Sequence, residues 1–388
     1  MAQRQWRSDD TDTWNEAFGD GSDGDYTTSG NLTDSSRSGF SNTTFAGTAT
    51  NSTGTAGAAG NFAAGDLIII HQSRNGGSGA GAWELNKISS IGSGTDWTLE
   101  YALQNTYATT GQVYRLLAYD NVTIDTGHTL TGVAWGGTTG GIVALMAKTS
   151  ITVTGNITVS SKGYRGGAAG NSATSVDPRA YSGEGTAGPG VTGFGNGNYL
   201  ANGNGGGAGH DGTGPVGAGN GAGGGNSSAG GNGTIVAGAT RGTGGEAAGN
   251  AGLTVMVFGG GGGGGDGVSG GASGTGGNAG GIVVLIAPTI TVTGSIASTG
   301  ANGGNNHAGA GAGGSILFKG IDITLGSGLV TANLGAGGSS NATCYSSDGR
   351  IHADYSGSIS GTTSPTIDTT EDATIVAPSA GGDFFLMF

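Results

Sequence analysis

The central third of the chain contains too much glycine to fold around a hydrophobic core. Residues 163–281 hold 48 glycines in 119 positions, and Gly259 to Gly265 form an unbroken run. Ordering each backbone unit costs about 1–2 kcal/mol, glycine loses the most freedom, and few side chains are present to offset that cost. In the polyproline-II conformation the amides make no internal hydrogen bonds, and glycine segments without Cβ atoms can pack side by side. We therefore predict a bundle of polyglycine-II helices at 163–281, held together by backbone hydrogen bonds.

A repeated strand-like unit lies on both sides of this block. Residues 140–160 begin with Gly-Gly-Ile-Val and continue into Ile-Thr-Val-Thr-Gly, and residues 280–298 repeat this pattern with one residue fewer before the second half. Weaker copies begin at Gly313 and Gly349, and an earlier one begins at Val122. Alternating apolar and polar residues are typical of a strand with one buried face. A single unit cannot bury that face alone, so we expect the copies to stack as solenoid-like rungs, about 4.8 Å apart.

The first stretch of the chain, residues 1–135, has a more usual set of core residues. Its apolar bursts are short, rich in β-branched and aromatic residues, and separated by Gly, Asn, Ser and Thr, which is typical of strands. No window shows the i, i+3, i+4, i+7 pattern of an amphipathic helix. We predict an all-β protein with almost no α-helix, whose N-terminal domain is a β-sandwich or a short β-helical domain. This stretch contains all five tryptophans, Trp6, Trp14, Trp83, Trp97 and Trp135.

Changes in composition suggest three domains. Residues 1–135 form the N-terminal β domain, for attachment or assembly, and residues 136–365 form the glycine-rich repeat domain that contains the block at 163–281. Residues 366–388 form a C-terminal tail with an apolar end. Exposed, that end would be a sticky patch, so we expect it to be buried against the chain's own core or against another subunit. The assembly candidates are Phe384, Phe385, Leu386 and Phe388.

Short segments between the glycine runs contain the aromatic, Asn, His and Asp residues that the runs lack. A rigid platform that displays variable loops is suited to recognition, and such side chains hydrogen-bond to and stack on sugars or protein loops. The alternative is that each of them is only a turn residue between glycine segments. The candidate receptor-binding residues are Tyr181, Phe194, Asn198, Tyr199, His210, Asp211, Asn305, Asn306 and His307.

The charge balance argues against a nucleic-acid partner. The chain has 13 Lys and Arg against 26 Asp and Glu, a formal net charge of −13, which does not suit the tracking of phosphates. The single cysteine, Cys344, allows no intramolecular disulfide and leaves the redox compartment open. The first residues lack the apolar region of a Sec signal, and apolar runs reach only six residues, as in Ile282 to Ala287. We therefore expect no secretion signal and no membrane span.

An acidic cluster near the start of the chain is the one candidate for a metal site. Asp20, Asp23 and Asp25 lie in the sequence Gly-Asp-Gly-Ser-Asp-Gly-Asp. Clustered carboxylates with nearby carbonyl oxygens suit Ca²⁺, although the spacing is not that of an EF-hand. A solvated cluster of Asx turns is the favoured interpretation. We expect no other cofactor.

The sequence gives little support for catalysis. The five histidines are scattered and lack metal-ligand spacing. Asp322, Asp348 and Asp354 are the carboxylates that a polysaccharide depolymerase on a parallel β-helix could use. Paired catalytic carboxylates require separations of about 5–10 Å, which the sequence does not supply. We expect a protein that is not an enzyme, with no catalytic residues.

Over residues 137–365, the alternation of glycine runs and short loops resembles the tip adhesins of T-even-type phage long tail fibres. The glycine-rich domain of that family is a sandwich of polyglycine-II helices with receptor-binding loops at its end. The sequences 18–29 and 349–365 are also similar to glycine-rich virion and surface proteins. This chain departs from the family because its glycine block interrupts a repeated strand unit and follows a β domain with tryptophans. Receptor-binding residues therefore do not transfer by position, and the resemblance implies only a homo-oligomer, such as the trimers common among phage fibres.

Together these features predict an adhesin on a virion appendage. It would bind a host cell-surface glycan or outer-membrane protein through loops on a glycine-rich scaffold, and would assemble with other fibre subunits. Its expected location is the virion, released by lysis, or alternatively a bacterial cell surface. The first alternative function is a structural subunit of a virion or extracellular filament without a receptor role, and the second is the depolymerase.

Overall fold

The chain folds almost entirely into β-structure. The computed structural model describes residues 18–108, 110–170, 180–190, 199–209, 219–234, 240–265, 274–304, 307–338 and 344–376. Within these ranges there are eighteen β-strands and a single helical turn, a 3-10 turn at Asp34–Ser36. The prediction of an all-β protein with almost no α-helix is confirmed.

The strands form two sheets. Six strands pair antiparallel into a closed barrel: β3 (Asn42–Gly47), β4 (Thr53–Ala56), β5 (Leu67–Gln72), β6 (Trp83–Ile91), β7 (Asp96–Leu99) and β8 (Gly111–Leu116). The other twelve pair parallel: β1 (Tyr26–Thr27), β2 (Leu32–Thr33), β9 (Ala118–Ile124), β10 (Thr129–Thr131), β11 (Ile142–Val153), β12 (Asn156–Thr158), β13 (Ile282–Ile286), β14 (Thr289–Val292), β15 (Ser295–Ala297), β16 (Ser315–Thr331), β17 (Arg350–Ser364) and β18 (Asp368–Glu371).

For the N-terminal region, residues 1–135, the prediction was a β-sandwich or a short β-helical domain. The structure instead forms a closed barrel from β3 to β8, whereas β1, β2, β9 and β10 of the same region join the parallel sheet. The barrel strands follow the order β3-β4-β7-β6-β5-β8 and close when β8 pairs with β3. Phe45, Phe62 and Trp97 fill the interior, with the Phe62 and Trp97 ring centroids 4.8 Å apart. The strands alternate as the sequence predicts, but a sandwich and a barrel share that alternation. The pairing of the first and last strands, which removes both sheet edges, is what distinguishes them.

The repeated units lie side by side in the parallel sheet. Ile142 pairs with Ile282, and Ile151 pairs with Ile290. The residue missing from the second copy falls at the break between β13 and β14. Strand β16 pairs with this copy, β17 pairs with β16, and β9 pairs with the opposite edge of β11. All five copies recognised in the sequence are therefore adjacent, and β1 and β2 add short pairs to β9 and β10.

One hydrophobic core runs through the parallel sheet along a column of equivalent positions. Val122, Ile151, Ile290 and Ile323 pair in register on neighbouring strands and are almost fully buried. The polar residues between them alternate to the outer face. Burial of each such side chain contributes about 1.5–3 kcal/mol, so the column stabilises the stack of copies.

A second core joins the barrel to the parallel sheet. It contains Ile69 and Tyr114 from the barrel, Ile142 and Val284 from the sheet, and Phe258 from the glycine-rich region. The ring of Trp135 lies against Phe258, with 5.4 Å between the centroids. Phe258 of the glycine-rich region between β12 and β13 therefore packs into the core that the barrel and the parallel sheet share.

Candidate functional site

Backbone amides of the seven-glycine run 259–265 donate hydrogen bonds with a period of three residues. Every third amide donates to the same neighbouring segment, so the run donates to three different segments. The N···O distances are 2.9 to 3.1 Å. The donor and acceptor pairs are Gly259 to Gly280, Gly262 to Gly277 and Gly265 to Gly274; Gly260 to Gly225 and Gly263 to Ala222; and Gly261 to Glu184 and Gly264 to Tyr181.

The carbonyl groups of the same run accept hydrogen bonds from three further segments, again with a period of three. These N···O distances are 2.8 to 3.2 Å. The run is thus surrounded by six segments, three that accept from it and three that donate to it. The donor and acceptor pairs are Ala312 to Gly260 and Gly309 to Gly263; Gly206 to Gly261 and Gly209 to Gly264; and Gly167 to Gly262 and Gly170 to Gly265.

Close approach between backbones explains why these positions are glycine. A Cβ atom added to Gly260 would lie 1.7 Å from the carbonyl oxygen of Asn204, and one added to Gly263 would lie 1.9 Å from that of Gly207. The other glycines of the run meet backbone atoms at 2.1 to 2.4 Å. Since Cβ contacts below 3.0 Å essentially do not occur, no other residue type fits here without a shift of the backbone.

Several glycine segments end at the same level. The amide of Gly170 donates to Gly265, the amide of Gly265 donates to Gly274, and the amide of Gly209 donates to Gly264. A Cβ atom on Gly209 would lie 1.9 Å from the carbonyl oxygen of Gly219. These residues flank three connecting segments, 171–179, 210–218 and 266–273. The attachment points of all three connections are therefore at one end of the glycine segments, which we call the distal end.

Three of the predicted receptor-binding residues are described by the structure, and all three flank connections. The carbonyl oxygen of Tyr181 accepts from Gly264, and that of His307 accepts from Gly221 at 2.7 Å. The carbonyl oxygen of Tyr199 accepts from Thr243. The Tyr181 side chain is 37% exposed, whereas Tyr199 and His307 are half-buried. Tyr181 is therefore the most exposed of the three.

His307 is held in place by other residues of the distal end. Its backbone has a φ of +66°, in the left-handed region, and its Nδ1 donates to the side-chain oxygen of Asn220. The amide nitrogen of Asn220 in turn donates to the hydroxyl of Thr234. Burial lowers the pKa of His307 and so favours the neutral ring. These contacts fix the positions of three neighbouring segments relative to one another.

The remaining candidates for receptor binding and for assembly lie outside the described residues. In the connecting segments these are Phe194, Asn198, His210, Asp211, Asn305 and Asn306, and in the tail they are Phe384, Phe385, Leu386 and Phe388.

Among the described residues, five large apolar side chains that were not predicted as site residues are exposed: Leu200, Val255, Leu334, Tyr345 and Val376. Leu200 is 51% exposed and Tyr345 is 52% exposed. The carbonyl oxygen of Tyr345 accepts from Gly231, so this residue also belongs to the packed glycine segments. Tyr345 lies among Ser, Asn, Thr and Asp residues outside the block at 163–281, so the sequence gives no signal for it like that of Tyr181.

The three aspartates of the acidic cluster do not converge on one point. Asp20 accepts from the amide of Ser22 at 2.9 Å, and Asp23 accepts from the amide of Ala118 at 2.8 Å. The carboxylate of Asp25 accepts from the side chain of Asn121 at 3.0 Å. In the part of the chain that the structure describes, no three His, Cys, Asp or Glu side chains are grouped as metal ligands. The structure therefore does not assemble the Ca²⁺ site considered from the sequence, because each carboxylate binds a different part of the backbone or side chains around β1 and β9.

The carboxylates considered for catalysis have separate partners. Asp322 accepts from the amide of Ser358 at 3.0 Å, and Asp348 accepts from the amide of Leu334 at 2.8 Å. Asp354 lies 3.1 Å from Nε2 of His352, whose Nδ1 lies 2.8 Å from Asp368. His352 is only 1% exposed and bridges β17 and β18.

The chain matches no protein-family model, no curated protein and no solved protein structure. Across the described ranges, no helix has the length and apolar character needed to span a membrane.

Proposed function

We propose that this chain is an adhesin of a virion appendage, which binds a host cell-surface glycan or outer-membrane protein. In this proposal the glycine-rich part is a polyglycine-II bundle, mounted on a solenoid of parallel strands. The bundle holds the connecting segments in a fixed array, and those segments make the receptor contacts. Binding requires no catalytic step.

The three-residue period of hydrogen bonds around Gly259 to Gly265 is the observation that carries this proposal. A polyproline-II helix has three residues per turn, so successive amides point in three directions, about 120° apart. Each direction then meets its own neighbour, and the carbonyl groups do the same with three others. Such a lattice needs no side chains, so it supports the interpretation of the run as the centre of a polyglycine-II bundle.

A scaffold of this kind separates stability from recognition. Among the described residues, the glycine segments make close backbone contacts and hydrogen bonds with one another, and a change of sequence in the connections leaves these contacts in place. Conserved scaffolds with variable loops are a common arrangement for binding surfaces. Exposed Tyr181, Leu200 and Tyr345 add apolar surface next to the connections, and aromatic side chains suit both sugars and protein loops.

The barrel and the parallel sheet supply the attachment side in this proposal. They would contact other fibre subunits or further copies of the chain, and a homotrimer is the arrangement that the family resemblance suggests. The expected location is the virion surface, with a bacterial cell surface as the alternative.

The experiment is to replace residues 171–179 and 210–218 by Gly-Ser linkers of the same lengths. Binding of purified protein to bacterial cells that the intact chain recognises is then measured. We expect at least a tenfold loss of binding with an unchanged melting temperature. Thr126→Ala, an exposed substitution in the connection between β9 and β10, is the control. Unchanged cell binding by the correctly folded linker variant would refute the adhesin proposal.

A second candidate, a structural filament subunit, is favoured by one edge of the parallel sheet. Strand β17 runs to Ser364, and in the described part of the chain β18 covers this edge only at His352 to Tyr355. An uncovered strand edge can pair with another chain. Under this alternative, Ser360→Lys should block assembly measured by sedimentation, while the linker variant should assemble normally.

A further inference from the structure

A groove on the outside of the barrel is lined mainly by polar side chains, and the proposed function makes no use of it. It has a volume of about 430 Å³ and lies over strands β3, β4, β6 and β7. Ligand sites in proteins usually have volumes of about 300–1,000 Å³, so this groove is large enough for a small ligand.

The strand register places the polar side chains of the groove on one face. Thr53 pairs with Thr98, and Thr55 pairs with Asp96. On the far side of β7, Thr98 also pairs with Ser90. Directly paired residues have Cβ atoms about 4.5–5.5 Å apart. Four hydroxyl groups and one carboxylate therefore form a compact patch.

The residues that alternate with these polar residues along β4 and β7 point into the barrel. They contribute only backbone atoms to the groove. Trp97 is 1% exposed and packs in the barrel interior. A Cβ atom on Gly54 would lie 2.2 Å from the ring of Phe45, so this position also faces inward. The alternation makes the groove floor smooth and its polar groups accessible, because Thr53, Thr55, Asp96 and Thr98 are all exposed.

These polar groups have little to bind within the chain. In the described ranges, the side chains of Asn51, Thr53, Thr55 and Thr98 have no hydrogen-bond partner, and Asp96 accepts only a 3.3 Å hydrogen bond from Ser93. The turn after β3 brings Asn51 to the rim of the groove. The patch therefore offers donors and acceptors that are free to bind a ligand.

The charge of the groove disfavours anionic ligands. Among the described residues that line it, Asp96 is the only charged one, and none is Lys, Arg or His. A phosphate or carboxylate ligand would find no cation and would be repelled by Asp96. Hydroxyl groups both donate and accept, and a carboxylate accepts strong charge-assisted hydrogen bonds from ligand hydroxyls.

We propose that this groove binds a neutral saccharide. Asp96 accepts hydrogen bonds from ligand hydroxyl groups, Thr53, Thr55 and Thr98 donate to and accept from neighbouring ones, and Asn51 closes the rim. This site is on the barrel, so it goes beyond the adhesin proposal and does not depend on the connections at the distal end.

The test is calorimetric titration of the full chain with a panel of sugars. The panel contains neutral hexoses, their short oligomers and N-acetylhexosamines, together with cationic glucosamine and anionic glucuronate. We expect a neutral sugar to bind at one site per chain. Thr53→Val with Thr98→Val, which keeps the shape and removes two hydroxyls, should weaken binding at least tenfold.

The matched control is Thr152→Val with Thr291→Val, a directly paired couple on the outer side of the parallel sheet. It should bind like the unchanged chain. If the groove variant does not fold, Thr98→Tyr serves instead, because it fills the groove from an exposed position and should abolish binding. The proposal is overturned if no neutral sugar binds, if only glucosamine binds, or if folded groove variants bind like the unchanged chain. Cell binding by the linker variant is measured separately, so the two proposals can fail independently.

Discussion

Glu184 and Arg74 form an ion pair between the glycine segments and the barrel, with side chains that are 2% and 11% exposed. The carboxylate of Glu184 also accepts from the indole nitrogen of Trp135 at 3.0 Å and from Nε of Arg165 at 2.9 Å. The Arg74 guanidinium lies over the Trp135 ring, 5.3 Å from its centroid. One acidic residue thus connects the base of the glycine segments to two other parts of the chain.

Removing the charge of Glu184 should destabilise the protein. Glu184→Gln leaves the Arg74 guanidinium without its carboxylate, and breaking a buried ion pair from one side costs about 3–5 kcal/mol. We expect the free energy of unfolding, measured by urea denaturation, to fall by about 3 kcal/mol. The comparison is Arg165→Gln, because the Arg165 side chain is 51% exposed and such a pair contributes only about 0–1 kcal/mol. Equal losses for the two variants would contradict the assignment of Arg74 as the main partner.

A methyl group inside the glycine lattice should be far more damaging than one elsewhere. In Gly263→Ala the new Cβ would lie 1.9 Å from the carbonyl oxygen of Gly207, so the two segments must separate and their hydrogen bonds must lengthen. We expect a loss of more than about 3 kcal/mol, in the range of the most disruptive single substitutions. Gly30→Ala is the control, since its Cβ would meet nothing within 4 Å. Its effect should stay within about 0.5 kcal/mol. If Gly263→Ala cost no more stability than Gly30→Ala, close backbone contacts would not be what holds the glycine segments together.

The stacking of the repeated units could be predicted because equivalent residues of two copies, such as Ile142 and Ile282, become direct neighbours when the units lie side by side. The sequence therefore contains both partners of each contact. The closed barrel could not be predicted in this way, since alternation places Phe45 and Trp97 inside either a sandwich or a barrel. Tertiary contacts decide which strands pair, and the alternation of apolar and polar residues along a strand does not encode them.

Site residues could be predicted from the sequence only where their sequence neighbours made them stand out. Tyr181 stands out as an aromatic residue among glycines, and the structure places it, exposed, near the distal end. Tyr345 lies among Ser, Asn, Thr and Asp residues beyond the glycine block, so the sequence gives no such signal for it. The role of Glu184 gives no local signal, since its partner Arg74 is 110 residues earlier in the chain.

His71 should make stability depend on pH. Its ring is fully buried between the barrel and the glycine-rich region, and Nε2 donates to the carbonyl oxygen of Met256 at 2.7 Å. Burial lowers the pKa of His71 from 6.5 to about 4, more than the hydrogen bond to Met256 raises it. Between these two values the unfolded chain binds a proton that the folded chain does not. The folded state therefore loses stability as the pH falls from 6.5 to 4.

The expected size of this effect is about 3 kcal/mol, from the shift in pKa. Urea denaturation of the unchanged chain and of His71→Gln at about pH 7 and pH 4 measures it. The variant is expected to be less stable at pH 7, because it loses packing against Phe258, but it should lack this part of the pH dependence. Parallel curves for the two proteins would show that His71 does not titrate differently on folding.

If the chain is an adhesin as proposed, truncating a partly exposed aromatic residue near the distal end should weaken cell binding without unfolding the chain. The backbone of Tyr181 is held by hydrogen bonds to Ala168 and Gly264, so Tyr181→Ala keeps these bonds and removes a ring that is partly exposed. Aromatic anchors at binding surfaces commonly contribute more than about 1 kcal/mol, and we expect cell binding to fall about tenfold. Val255→Ala is the matched control, because Val255 is equally exposed at 37% but lies beside Gly81 of the barrel. Binding that falls with Val255→Ala and not with Tyr181→Ala would move the receptor-contacting surface from the distal end to the barrel side of the molecule.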